Sequence, residues 1–330
     1  MPEERVRQFG SYVLKQALGH GGMGAVYLAE DTSCGRAVAL KVLGASIGLN
    51  AEYVRRFLTE ARLASQLHHP SIVDVYDYGR ERGHYYLAME RIDGPSVKAR
   101  IINEGRITWR EAVDVALQVA EGLRSACRQG IIHRDIKPEN ILLDARGRAR
   151  IADLGLAKEM DAIEPLPSDT SLGTPDYMSP EQVSNSETVD FRSDIYSLGA
   201  TLFHMICGRA PYTGRSAYEV MVKHVSAALP SPMKYVPDLP APVRDVMRKM
   251  MARDPEDRYA SYDELVFDLR ALLEGKPVKA SEFDDESMLS GNGAPQAVAA
   301  STADRVVWAT LAGGTVVGSV GVLLYLLSTV

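Results

Sequence analysis

Three cysteines, Cys34, Cys127 and Cys207, are all that a chain of 330 residues contains. They lie far apart, form no CxxC and leave one over, which excludes a disulfide framework and a cysteine-based zinc site as sources of stability. An excess of positive charge is also missing. With 37 Lys and Arg against 43 Asp and Glu, the net charge of -6 argues against a nucleic-acid surface. The opening stretch, MPEERVRQFGSYVLKQ, has no apolar run that would serve a signal peptide, so export by that route is not expected. Internal repeats are absent too. The length supports one large domain or two ordinary ones with a core that needs no staple, and the cysteine usage suits a reducing cytoplasm.

What is present is patterned. Between residues 12 and 47, short alternating runs (YVLKQAL, AVYLAE, AVALKVL) separated by glycine-containing turns predict an antiparallel meander. A helical period follows in NAEYVRRFLTEARLASQLHH, where Val54, Phe57, Leu58, Ala61, Ala64 and Leu67 fall on one face. Two further strand-like runs, IVDVYDYGRE and HYYLAMERI, precede a predominantly helical region from about Pro95 to Leu273. Residues 274–304 are rich in small and acidic side chains without a sustained period, the composition of a flexible linker. Such a linker would hold its domain within about 30 Å of an anchor.

Phosphate chemistry is indicated first by Gly19, Gly21 and Gly24 in the spacing G-x-G-x-x-G, with Gly22 between them and Leu18 and Val26 flanking. Glycines let a backbone approach phosphate oxygens closely and offer N–H donors. A dinucleotide-binding loop of this spacing should open a helix, yet here a strand-like run follows, which disfavours a nicotinamide enzyme. Lys41 lies on the next predicted strand, and Glu60 lies among the polar residues of the predicted helix. Downstream, IIHRDIKPENILLDARGRARIADLGLAK places Asp135 and Asn140 five apart in a loop and Asp153 after a strand-like run.

Together these motifs resemble the signature set of the eukaryotic-type (Hanks-type) protein kinases, with H-R-D-x-x-x-x-N realised as His133 to Asn140. The wording GHGGMGAVYLAED, HRDIKPENILL and GTPDYMSPEQ is most similar to the bacterial serine/threonine kinases, over roughly residues 12 to 272. The resemblance implies an α+β, two-lobed protein kinase fold. A β-rich N-lobe with one helix (12–94) precedes a larger helical C-lobe (95–273), flanked by an N-terminal extension (1–11) and the linker (274–304).

It also implies an ATP-dependent enzyme using Mg2+ (or Mn2+) to phosphorylate Ser and Thr of protein substrates, with no nucleic-acid partner. Lys41, oriented by Glu60, would hold the α- and β-phosphates. Asn140 and Asp153 would hold the metal, Asp135 would accept the hydroxyl proton, and Lys137 would steady the γ-phosphate. Leu18, Gly19, Gly21, Gly22, Gly24, Val26, Ala39, Met89, Glu90, Ile92 and Leu142 would form the nucleotide pocket, with the backbone from Glu90 to Ile92 bonding the adenine. Two departures from the family pattern are Leu154 between Asp153 and Gly155, an apolar replacement for phenylalanine, and the small Ala64 four residues after Glu60. The second implies a helix less firmly locked in its active position. A pseudokinase acting as a membrane-tethered binding module is the alternative, since fold alone does not establish catalysis.

Residues 154–178 have a polar, proline-containing middle that suits a mobile loop, closed by Ser179, Pro180 and Glu181 in place of A-P-E. The resemblance implies that Glu181 pairs with Arg258, that Asp194 caps the catalytic loop, and that Arg134 receives a phosphate placed on this loop by autophosphorylation. Thr170 is the first candidate, then Ser171 and Ser168. The last stretch, VVWATLAGGTVVGSVGVLLYLLSTV from Val306 to Val330, carries no charge. As a helix it would rise roughly 37 Å against a hydrocarbon thickness near 30 Å, so residues 305–330 read as a transmembrane helix. Arg305, Lys276 and Lys279 before it place the kinase domain on the cytoplasmic side of a single-pass inner-membrane protein. With no residue after Val330, no external sensor domain is expected. Homodimerisation is anticipated through the kinase domain or through Gly314 and Gly318, which form a G-x-x-x-G.

Overall fold

The computed structural model describes residues 7–21, 24–44, 47–153, 175–184 and 188–282. The alternating runs form one antiparallel sheet of six strands: β1 (Arg7–Phe9), β2 (Tyr12–Gly21), β3 (Gly24–Asp31), β4 (Arg36–Leu43), β5 (Val75–Glu81) and β6 (His84–Glu90). Their order is β1-β2-β3-β4-β6-β5. Period two sorts β4 into faces. Val38 and Leu40 are sealed on one side with Phe9, Tyr12, Ala29 and Ala88, while Leu43 and Ala39 pack with the main core on the other. Lys41 shares the parity of Ala39 and stands in register with Val26 and Leu87, so its stem lies against the inner face and the side chain is 11% exposed.

Helix α1 (Ala51–Gln66) crosses behind this sheet. Asn50 starts it by accepting the Glu52 and Tyr53 N–H groups at 3.1 and 3.0 Å, a cap of a kind that contributes about 1 kcal/mol. Val54, Phe57, Ala61 and Ala64 are buried on the predicted face, and Leu67 closes it. Tyr53 joins them from outside the apolar pattern, presenting a ring to the core.

Beyond the sheet the chain is helical: α2 (Val97–Glu104), α3 (Trp109–Cys127), then a ribbon of β7 (Ile141–Leu143) and β8 (Ala149–Ile151). It continues with α4 (Pro180–Ser184), α5 (Phe191–Cys207), α6 (Ala217–Ser226), α7 (Ala241–Met250) and α8 (Tyr262–Glu274). A small sheet-and-helix lobe followed by a larger helical lobe is the architecture expected from the resemblance. Helix α5 is buried on every side from Ser193 to Ile206, so its polar side chains need partners inside the protein. Ser193 donates to Glu181, Asp194 accepts from the loop at His133, Ser197 donates to the Tyr177 carbonyl at 2.7 Å, and His204 Nδ1 shares a hydrogen bond with the Tyr177 hydroxyl at 2.6 Å. Burial holds the His204 imidazole down at about 4, which keeps the ring neutral. The central helix therefore organises the loops around it.

Two boundaries move. Residues 7–9, assigned to an extension, form the edge strand β1, where Phe9 is buried edge-on against Tyr86 at 5.7 Å. Residues 275–282, assigned to the linker, remain part of the fold. Asp268 on α8 is fully buried and accepts from the Tyr259 hydroxyl at 2.8 Å and from the Lys279 and Ala280 N–H groups at 2.8 and 2.9 Å. Val278 and Ala280 are buried beside it. Two small apolar residues in a polar stretch leave no periodic signal, and the acceptor that fixes them belongs to another element. No helix among the described residues is long and apolar enough to cross a membrane. Gly22, Leu154, Gly155, Thr170, Ser171, Ser168, Gly314, Gly318 and the whole 305–330 stretch lie outside the described residues.

Candidate active site

The loop from His133 to Asn140 is held by side chains at both ends. The Asp194 carboxylate, 1% exposed on α5, accepts the His133 and Arg134 N–H groups at 2.8 and 2.7 Å. Charge-assisted bonds of this kind support a costly backbone, and Arg134 has φ +63°, a left-handed conformation that a non-glycine residue adopts at about 1–2 kcal/mol. The buried His133 ring bridges outward: Nδ1 accepts from the Asp135 N–H at 3.2 Å, and Nε2 donates to the Ala152 carbonyl at 3.1 Å. An N–H facing one ring nitrogen and a carbonyl facing the other fix the neutral Nε2–H tautomer. His133 thus ties Asp135 to the residue preceding Asp153, a role that motif spacing did not assign to it.

The reacting groups converge at Asp135. Its Oδ2 meets Lys137 Nζ at 2.7 Å and accepts from Asn140 Nδ2 at 2.9 Å; the same Nδ2 donates to the Asp135 carbonyl at 2.8 Å. With the amide nitrogen committed to Asp135, the amide oxygen is the end of Asn140 that can ligate a cation. The Asn140 carbonyl accepts from the Ala152 N–H at 2.8 Å, which brings Asn140 beside Asp153. Asp153 itself has φ +57°, and its Oδ1 lies 2.7 Å from Lys41 Nζ, 112 residues away in sequence.

Among the described residues, Lys41 makes an ion pair with Asp153, whose φ is +57°. Glu60 remains close on α1: burial first, and then the charges of Glu60 and Asp153, push the Tyr53 phenol up to about 12.

The pocket residues fall on neighbouring strands. Gly19, Gly21 and Gly24 lie in the hairpin of β2 and β3, with Gly19 opposite Val26 and Gly21 opposite Gly24. The glycine loop thus leads into a strand, as the alternation predicted. Gly24 has φ +141°, and a Cβ there would stand 2.1 Å from the Val42 carbonyl, so no side chain is tolerated. Ala39 pairs with the buried Met89, Leu142 sits on β7, Ile92 packs on the core, and Leu18 is half exposed on β2. The Glu90 carboxylate bonds the Arg150 guanidinium, and its N–H donates to the Asp74 carbonyl at 2.8 Å.

Below the loop, Glu181 opens α4. Burial opposes its charge, yet the Arg258 guanidinium and the Ser193 hydroxyl hold its carboxyl below the usual range. The Arg258 nitrogens meet the two Glu181 oxygens at 2.7 and 2.8 Å and donate also to the carbonyls of Arg192, Ala252 and Arg253. This is the buried pair that the resemblance implied.

The site gathers two carboxylates, one amide oxygen and two ammonium groups, a set that fits a nucleotide carrying a hard divalent cation such as Mg2+. Similarity to known proteins points the same way. Serine/threonine-protein kinase PrkC of Bacillus subtilis is 36% identical over 282 residues, covering 84% of this chain and 43% of that protein. Serine/threonine-protein kinase PknA of Mycobacterium tuberculosis is 34% identical over 320 residues, covering 95% of this chain and 72% of that protein. The chain therefore spans less than half the length of PrkC. The crystal structure of the Mycobacterium tuberculosis PknI kinase domain matches with a TM-score of 0.65 at 28% identity, over 80% of this chain and 97% of that domain. The model of the protein kinase domain family matches residues 12–267, and with Asp135, Asn140, Asp153 and Lys41 gathered in one site the chain belongs to that family.

Proposed function

We propose that the chain is an ATP- and Mg2+-dependent protein serine/threonine kinase. The observation that carries the reading is the convergence of charge on one cleft: Lys137 at 2.7 Å from the Asp135 carboxylate, and Lys41 at 2.7 Å from that of Asp153. Asp135 would accept the proton of a Ser or Thr hydroxyl, and its bonds to Lys137 and Asn140 orient it. Lys41 and Lys137 supply positive charge for phosphoryl oxygens, and the Asn140 amide oxygen with the Asp153 carboxylate would hold the cation. Mg2+, when bound, neutralises charge on the β- and γ-phosphate oxygens. The Glu90 carbonyl and Ile92 amide would pair with the adenine edge between Ala39 and Leu142.

The full chain with γ-labelled ATP and Mg2+ should place acid-stable label on Ser or Thr. Lys41→Met should lower that rate by about 100-fold, since a phosphate-holding charge of this kind is worth about 2.7 kcal/mol in the transition state. Unlabelled wild-type protein would refute the reading.

Autophosphorylation of the 154–174 segment, with Thr170 ahead of Ser171 and Ser168, is supported by its hydroxyl content and by Arg134 beside Asp135. Phosphopeptide mapping of the labelled chain tests it: Thr170→Ala should remove the principal phosphopeptide, and an unchanged map would reject that site. Membrane anchoring with a cytoplasmic kinase domain is supported by the uncharged stretch 306–330 and the preceding Arg305. Expressed in bacteria, the full chain should sediment with membranes and a version ending at 304 should not; equal distribution would remove the span. Pairing of copies through Gly314 and Gly318 belongs to the same reading, and replacement of both by Leu should lower crosslinking in membranes.

A further inference from the structure

Gln182 lies one residue past Glu181 on α4, and the kinase motifs give it no task. Its amide is used at both ends. Oε1 accepts from the Ser179 N–H at 3.0 Å and the Ser179 hydroxyl at 3.3 Å, while Nε2 donates to the Arg134 carbonyl at 2.8 Å, 48 residues away in sequence. A backbone N–H at one end and a carbonyl at the other allow only this orientation of the amide. Carboxylate, thioether and hydroxyl side chains cannot serve both contacts at this reach.

The carbonyl in question belongs to the left-handed residue that precedes Asp135. Asp194 holds the N–H side of Arg134 at 2.7 Å, and Gln182 holds its carbonyl side, so the peptide that leads into Asp135 is clamped from both directions. The clamp has a firm base, because Glu181, the neighbour of Gln182, is locked to Arg258, and Ser179 is fully buried.

We propose that Gln182 is a positioning residue, which fixes the orientation of the Asp135 carboxylate by holding the Arg134 peptide in its left-handed conformation. The inference rests on the kinase reading above. A carbonyl that loses its donor rotates toward another partner, and a misplacement of about 1 Å at a reacting group can cost about 100-fold in rate. The adenine pocket lies on β4, β6 and β7, so binding of ATP should be preserved.

The test is steady-state transfer from ATP to dephosphorylated casein by the full chain, comparing wild type, Gln182→Met and Gln182→Glu, with thermal unfolding of each. The expected result is a kcat about 10-fold lower for Met and lower still for Glu, whose oxygen faces the Arg134 carbonyl, with KM for ATP within about twofold and melting within about 2 °C of wild type. A kcat within about twofold of wild type for both variants would overturn the proposal. So would a kcat loss accompanied by a fall in melting temperature of several degrees, which would mark Gln182 as a support for α4 alone. Inactive wild-type protein would instead strike the kinase reading, which keeps the two failures apart.

Discussion

Asp135→Asn should reduce phosphate transfer to protein by about 100- to 10,000-fold, the range associated with loss of a general base, while leaving the fold and the KM for ATP close to wild type. The substitution is nearly isosteric. An amide oxygen at the Oδ2 position still receives Asn140 Nδ2 and Lys137 Nζ, so the hydrogen-bond pattern at 2.9 and 2.7 Å survives in outline. What disappears is the capacity to take a proton, together with the negative charge that balances Lys137. The ammonium is 18% exposed, so it can be partly solvated without unfolding the loop. Single-turnover labelling with thermal unfolding separates the alternatives: a variant that melts like wild type but transfers within about tenfold of its rate would show that Asp135 is not the base.

Glu181→Gln should lower stability by about 3–5 kcal/mol, because it leaves the Arg258 guanidinium buried without its counter-charge. The Arg258 side chain has no solvent exposure and cannot neutralise itself by losing a proton. For a domain of this size each kcal/mol shifts the melting temperature by about 2–4 °C, so a fall of roughly 6–20 °C is expected. The sign of the pH effect follows from the lowered carboxyl of Glu181. Its contribution is complete above the ordinary carboxylate range and is lost as the pH falls through the lower value of the folded protein. Wild type should therefore lose stability on acidification through that window. The amide that replaces the carboxyl has no proton to gain there, so the variant's curve should be flatter. Equal melting temperatures at neutral pH would show that the pair contributes nothing net.

Local features were readable because they are written in neighbouring residues. Strand alternation at 12–47, the face of α1 and the spacing of Asp135 to Asn140 all lie within a few turns of chain. Features closed by distant partners were not. The turn at 279–282 depends on Asp268 of α8, while the edge strand at residues 7–9, though paired with the adjacent β2, is too short at three residues to show an alternation. The ion pair of Lys41 with Asp153 joins residues 112 apart in sequence. Residue roles at His133 and Gln182 escaped for the same reason: each acts through a backbone group 19 or 48 residues away.

The turn on Asp268 has a mechanical consequence. A load pulling on the chain beyond Glu282 would reach the domain at Ser281, whose hydroxyl donates to the Asp245 carboxylate on α7, and then at Ala280 and Lys279, whose N–H groups share one carboxylate. The buried Val278 and Ala280 add apolar contact to these bonds, so the turn would have to leave α7 and α8 together before any strain entered α8 itself.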